Sequence, residues 1–342
     1  MPPIPWLSRF CSGCSSVRVH DSTSIGLPDT LTDTWRGCGN DTARGTAGLK
    51  CGVQIDLLTG ALCGLDLADG RTSDYTLPVQ HAPMPAGSLR LADRGFYHMD
   101  VLHQIHTAGS FWLARVPTNT LVAYPGRAPQ PLLSVLNDLG PLTTWDANVI
   151  VGGHGQLQAR LLARRVPPAI AEQRRRRVQD EAKSKGRPAA KAALALAAWN
   201  VAITNVPRPM LSLTDALVLM RMRWQIELLF KLWKRRGQVD TWRTKNPARI
   251  LCEVYAKRIG LVFQQWILAA SNWADPERSL VKAAQFVATA AAELASAMRC
   301  PAQVECVLTS LTQVIQRLAR MQKRQNPPTT AQRLLAVEAP QK

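Results

Sequence analysis

Between Ser16 and Ile25 apolar and polar side chains alternate (Ser-Val-Arg-Val-His-Asp-Ser-Thr-Ser-Ile). This is the period-2 pattern of a strand, and it reaches an acid, Asp21, near its end. Leu49–Asp56 and Ala61–Asp66 read as two more strands, with Leu57-Leu58-Thr59-Gly60 as a short hairpin-like connection between them. Leu89–Asp93 is a fourth strand, again delivering an acid at its end, and Gly95 is placed to turn the chain. A helical pattern over Val101–Ala108 and a fifth strand over Phe111–Val116 follow. The opening order is β-β-β-β-α-β, a mixed α/β layout.

From Pro117 the pattern breaks. Residues 118–197 hold Pro125, Pro129, Pro131 and Pro141, short strands such as Asn148–Val151, and then the basic segment Arg174–Arg187. They read as an insertion whose last third is a charged helix or a disordered linker, with Arg174–Arg177 on a solvated face. Trp199–Val206 resumes as a buried strand. Ser212 is a helix N-cap with Asp215 three residues later in the first turn, and this helix is predicted to run to about Arg236, before Gly237. Three further helical patterns cover about 246–272, 277–298 and 302–323, and the tail from Pro327 is expected to be loose. No internal repeat is present in the sequence.

The helix around Arg223-Trp-Gln-Ile-Glu227-Leu-Leu-Phe-Lys-Leu-Trp-Lys234 carries the most chemistry. At about 3.6 residues per turn, Arg223, Glu227 and Lys234 fall within roughly one-ninth of the circumference, while Ile226, Leu229, Phe230 and Trp233 point elsewhere. An acid flanked by two cations suits a divalent metal held beside a phosphodiester. The same spacing also suits an exposed helix with an i,i+4 Arg–Glu pair, which contributes a few tenths of a kcal/mol. Asp21, Asp93 and Glu227, brought together from separate elements, would make a hard, oxygen-rich site for Mg²⁺ or Mn²⁺. Taken singly, Asp21 in Asp-Ser-Thr and Asp93 in Asp-Arg-Gly are also ordinary turn and cap sequences.

Charge sharpens this picture. The 342 residues carry a net charge of +18, but residues 1–150 have 10 Lys+Arg against 12 Asp+Glu, while the remainder has 32 against 12. That asymmetry points to a polyanionic partner, nucleic acid first and an anionic membrane surface second. The longest largely apolar run, Ala192–Ile203, is too short to span a bilayer, and the amino terminus lacks a signal-peptide pattern. Eight scattered cysteines suggest a cytoplasmic protein with reduced thiols. Cys11-x-x-Cys14 lacks the second pair a structural zinc site needs, and Cys38, Cys51 and Cys63 do not supply it. The six histidines, His103 and His106 among them, show no ligand spacing.

Three blocks carry a resemblance: His20-Asp21-Ser22-Thr23, Leu91-Ala-Asp93-Arg94-Gly95-Phe96, and the helix bearing Arg223, Glu227 and Lys234. They occur in the order of the signature blocks of bacterial insertion-sequence DDE transposases, and the chain resembles the branch called insertion-sequence family four, marked by Y-x2-R-x3-E-x6-K. Arg223, Glu227 and Lys234 match that motif in type and spacing; Met220 stands where the family has tyrosine. Ile203-Thr-Asn-Val-Pro207 is also familiar, and the resemblance covers about residues 16–275.

The resemblance implies an RNase H-like mixed sheet with flanking helices, interrupted by an insertion and followed by a helical carboxy-terminal region. On that reading residues 1–15 are a short extension, 16–117 and 198–245 the two parts of the catalytic core, 118–197 the insertion and basic linker, 246–326 the carboxy-terminal helices and 327–342 a flexible tail. It implies that Asp21, Asp93 and Glu227 are catalytic and hold two Mg²⁺ ions, with Mn²⁺ able to substitute. Arg223, Lys234 and Lys231 would contact DNA, and Met220 alters one phosphate contact. Trp145 and Trp112 are candidates, by residue type alone, for stacking a flipped base.

The implied activity is metal-dependent cleavage at transposon ends and strand transfer into target DNA. The implied partners are double-stranded DNA (terminal inverted repeats and target) and a second copy of the chain in the DNA complex, with no membrane, in a bacterial cytoplasm at the nucleoid. Two alternatives are a catalytically inactive DNA-binding remnant that inhibits an intact transposase, and a metal-dependent nuclease without strand transfer. Only twenty residues precede Asp21, so sequence-specific reading of transposon ends by an amino-terminal region is not expected of this chain. Salt-sensitive, sequence-tolerant binding is.

Overall fold

The structure, a computed structural model, describes residues 13–38, 46–152 and 157–321. The expectations for the extension before Gly13 and for the tail from Pro327 lie outside the described residues. In chain order the elements begin with β1 (Val17–Leu27), β2 (Ala47–Asp56), β3 (Leu62–Asp69), α1 (Pro78–His81), β4 (Leu89–Ala92), α2 (Met99–Thr107) and β5 (Phe111–Ala114). Next come β6 (Leu121–Ala123), β7 (Gln130–Pro131), α3 (Leu132–Asp138), β8 (Thr144–Val151), β9 (Leu157–Arg165), α4 (Pro168–Ser184), α5 (Lys191–Leu196) and β10 (Trp199–Thr204). The chain continues with α6 (Leu213–Met222), α7 (Trp224–Arg235), α8 (Pro247–Asn272), α9 (Leu280–Thr289), α10 (Ala291–Ala297) and α11 (Pro301–Leu318). This is the mixed α/β organisation with flanking helices that the hydropathy pattern predicts. The described residues divide into two compact units, one built from 16–82 and 222–321 and the other mainly from 83–221.

In the first unit β1, β2 and β3 form an antiparallel meander, with Arg18 opposite Asp56 and Leu27 opposite Ala47 across the first pair. The β2–β3 hairpin turns at Gly60, whose φ of 75° lies in the left-handed region that glycine reaches without steric cost. A Cβ at that position would collide with the Trp273 ring, and Trp273 Nε1 donates to the Leu57 carbonyl at 2.9 Å, so the hairpin tip is fastened to the end of α8. Along β1 the period-2 row Val17, Val19, Ile25 and Leu27 is buried. Leu27 packs with Leu31, Ala47, Leu49 and with Ile250 and Val254 of α8. Each fully buried aliphatic side chain contributes about 1.5–3 kcal/mol.

In the second unit the strand order is β4-β5-β10-β9-β8-β6-β7, with β4 and β5 parallel and the others joined antiparallel. Its interior contains a charged clasp. Arg160 on β9 is buried, and it donates from Nε and Nη2 to the two Asp146 carboxylate oxygens at 3.1 and 2.6 Å. Its Nη1 donates to the carbonyls of Val206 at 2.7 Å and Leu211 at 3.0 Å. Replacing Arg160 by alanine leaves the half-buried Asp146 carboxylate with Arg208 alone, at 3.2 Å, and takes the donor from two buried carbonyls, so we expect a loss of about 1–3 kcal/mol. Urea denaturation checks this; a loss under about 1 kcal/mol would contradict the clasp.

Several details depart from the sequence expectations. The predicted helix from Ser212 to Arg236 starts as expected, with the Asp215 amide donating to Ser212 Oγ at 3.1 Å, but it is divided at Arg223 into α6 and α7. The pattern over 277–298 likewise divides at Ala290. The basic segment is helical through Ser184, and Arg174 is not simply solvated. Its Nη1 donates to the Trp199 carbonyl at 3.2 Å and its Nη2 to Asn200 Oδ1 at 2.9 Å. Cys14 is disulfide-bonded, contrary to the expectation of reduced thiols throughout.

Candidate functional site

Asp21 shares strand parity with Val17, Val19, Ile25 and Leu27, so it stands, with Thr23 beside it, in a mainly apolar row on the face that helices cover. The helix it meets there is α7, which buries Ile226, Leu229, Phe230 and Trp233, the four side chains predicted to pack away from the charged stripe. Those residues anchor α7 and leave Glu227 in its first turn, where the positive end of the helix dipole favours a carboxylate.

Arg223 sits between the two acids. Its Nη1 donates to Asp21 Oδ2 at 3.1 Å and its Nη2 to Glu227 Oε1 at 2.5 Å. The side chains of Arg223, Asp21 and Glu227 are 11%, 21% and 35% exposed, so the pairing is partly shielded from water at its centre and open at Glu227. Asp21 Oδ1 also accepts from the Ser22 amide at 2.8 Å, which fixes its orientation. The i,i+4 pair that the sequence allowed as a merely structural feature is therefore present. It is extended to a second acid 202 residues away in the chain.

Lys234 lies on the same stripe two turns on, and its Nζ donates to the Ser24 carbonyl of β1 at 2.9 Å. Lys231 lies off the stripe, with its Nζ 5.5 Å from the centroid of the half-exposed Trp224 ring. Met220 is 5% exposed, so the residue at the family's tyrosine position packs rather than presenting a polar group. Trp112 is fully buried, which removes it as a stacking surface for a flipped base; Trp145 is half-buried.

Asp93 belongs to the second unit. It follows β4 directly, in extended conformation (φ −86°, ψ 176°), ahead of a 3₁₀ turn over Arg94–Phe96. Its side chain is 30% exposed and Oδ1 lies 3.7 Å from Arg115 Nη1. Arg115 escaped the sequence reading. The signal was the parallel register: Ala92 pairs with Ala114, so the next residues of the two strands, Asp93 and Arg115, emerge side by side.

Among the described residues no group of three or more His, Cys, Asp and Glu side chains is clustered closely enough to hold a metal. The donor chemistry of the first unit nevertheless fits a hard cation. Two carboxylates, one from β1 and one from α7, already converge on a single positive charge.

A family model described as a transposase DDE domain matches residues 12–263. The chain is 27% identical over 272 residues to the transposase of insertion sequence element IS231F from Bacillus thuringiensis subsp. israelensis, covering 74% of this chain and 57% of that protein. It is 23% identical to the transposase of IS1151 from Clostridium perfringens, covering 75% and 58%, and 25% identical to the putative transposase InsL of IS186A from Escherichia coli K12, covering 72% and 65%. The chain thus spans less than two thirds of each of these relatives. Among solved structures it is similar to the piggyBac transposase synaptic complex with hairpin DNA, at a TM-score of 0.44 and 11% identity over 95% of this chain and 57% of that one. Because the family match spans well over half of its length, the chain belongs to the transposase DDE domain family.

Proposed function

We propose that this chain is the catalytic domain of a DNA transposase of the insertion-sequence family four branch, cutting DNA at transposon ends and joining the freed end to target DNA. The observation that carries the reading is the convergence of Asp21 and Glu227 on one cation within the segment that matches the family. Asp21, Asp93 and Glu227 are the residues that would hold two Mg²⁺ or Mn²⁺ ions. Bound there, the ions would polarise a water and neutralise the leaving oxygen of an in-line phosphoryl transfer.

Around that chemistry the protein's own side chains position the substrate. Arg223 and Lys234 share the Glu227 stripe and Lys231 lies beside it, so all three would receive DNA phosphates as charge-assisted donors. In the first step the water oxygen attacks phosphorus, the P–O3′ bond breaks and a 3′ hydroxyl is freed. In the second, that hydroxyl attacks a phosphodiester of target DNA and displaces its 3′ oxygen, so the number of phosphodiester bonds is conserved. A second copy of the chain in the DNA complex would hold the other transposon end.

The test is incubation with a duplex ending in the element's terminal inverted repeat, a target plasmid and Mg²⁺. Cleavage followed by covalent joining, both lost in excess chelator, is the expected result. Cleavage without joining would reduce the protein to a nuclease. DNA binding with no cleavage in Mg²⁺ or Mn²⁺ would identify an inert remnant.

A further inference from the structure

We propose that Arg223 is the resident counter-ion of the acid pair, and that its transfer from the carboxylates to a DNA phosphate couples DNA binding to metal binding. The inference rests on the reading above that Asp21 and Glu227 are metal ligands. Asp21 Oδ2 and Glu227 Oε1 are each committed to one nitrogen of the same guanidinium, at 3.1 and 2.5 Å. A divalent cation drawing on both carboxylates competes for those oxygens. It would also bring like charge within a few ångströms of a guanidinium whose side chain is 11% exposed. The two cations therefore exclude one another from this position.

Withdrawing Arg223 without replacement would leave a shielded cation without its anions, which is costly. A DNA phosphate supplies the missing partner, since a guanidinium binds phosphate oxygens through two parallel N–H donors. Arg223 occupies the junction where α6 ends and α7 begins, whereas Glu227 is held by the buried Ile226, Leu229, Phe230 and Trp233 around it. The move asked of Arg223 is a rotation of its side chain, with the acid staying in place. DNA then lowers the cost of metal binding and metal lowers the cost of DNA binding, by the same factor in each direction.

The experiment measures Mn²⁺ affinity of the full chain by the loss of the free-ion electron paramagnetic resonance signal, with and without a DNA duplex, after subtraction of Mn²⁺ bound to DNA alone. For the unaltered protein, DNA is expected to tighten Mn²⁺ binding at least tenfold. Arg223→Gln, checked for folding by circular dichroism, is expected to bind Mn²⁺ without DNA several-fold more tightly than the unaltered protein, and to gain less than threefold from DNA. Arg223→Lys, with one compact charge in place of a two-pronged donor, should fall between the two.

Equal Mn²⁺ affinity of the unaltered protein with and without DNA overturns the coupling, and that result needs no variant. An Arg223→Gln protein that binds Mn²⁺ no more tightly than the original also overturns it. Glu227→Gln separates the two levels of the account. If it removes Mn²⁺ binding while the coupling is absent, only the role of Arg223 fails. If it leaves Mn²⁺ binding unchanged, the metal-site reading fails and the inference goes with it.

Discussion

Glu227→Ala is expected to abolish DNA cleavage while leaving the fold and DNA affinity nearly intact. Loss of a ligand that fixes a catalytic metal removes several kcal/mol of transition-state stabilisation, which at about 1.36 kcal/mol per decade is roughly a thousandfold or more in rate. The structural cost is small by comparison. The Glu227 side chain is 35% exposed, and Arg223 keeps Asp21 as a partner, so the lost ion pair is worth at most about 1 kcal/mol in stability. Single-turnover cleavage, a thermal melt and a binding isotherm separate these effects. A variant that cuts at the original rate removes Glu227 from the mechanism; one that fails to cut because it melts assigns the residue to structure.

The second large effect is the salt dependence of DNA binding. Residues 151–342 carry 32 Lys+Arg against 12 Asp+Glu, and a surface contacting six to ten phosphates loses about 10³–10⁵ in affinity between 50 and 200 mM salt. The structure says which of these charges are available. On α4, Arg175 and Arg176 are held only loosely, both 3.5 Å from Glu172, and the Arg176 side chain is 74% exposed. Arg174 is fastened to β10, and burial, with Arg115, Arg221 and Arg177 nearby, pushes its pKa below the usual arginine range. Arg176→Ala should therefore reduce the slope of log affinity against log salt by about 1, while Arg174→Ala should lower thermal stability instead. A flat salt slope for the unaltered chain would contradict the electrostatic reading.

What the sequence made legible was local. Strand-like runs located β1, β2, β3 and β4, and helical periodicity located α8 and α11 to within about five residues, because each of those signals lies within one short stretch of chain. It did not reveal β9, where Leu157-Gln-Ala-Arg-Leu-Leu-Ala-Arg-Arg suits a helix as well as a strand. The deciding contacts are Arg160 to Asp146, Val206 and Leu211, up to 51 residues away. Arg90 is a similar case: a cation inside a four-residue strand buried throughout, where burial pushes the guanidinium down to about 9.

At the candidate site, the common stripe of Arg223, Glu227 and Lys234 was readable from spacing alone. Their partners were not. The Asp21 carboxylate and the Ser24 carbonyl reach α7 from a strand about 200 residues earlier, and no helical wheel contains that distance. The division of the helix at Arg223 was equally hidden, since Met222 and Trp224 continue an apolar pattern across it.

The central claim is that Asp21, Asp93 and Glu227, from three separate segments, hold the same metal ions. Replacing Mg²⁺ by Fe²⁺ and adding ascorbate with peroxide generates hydroxyl radicals at the metal, which cut the polypeptide beside its ligands. The account predicts fragments ending near all three acids, each lost in Glu227→Gln and in excess Mg²⁺. Cuts near Asp21 and Glu227 with none near Asp93, or a pattern that Glu227→Gln leaves unchanged, would contradict it.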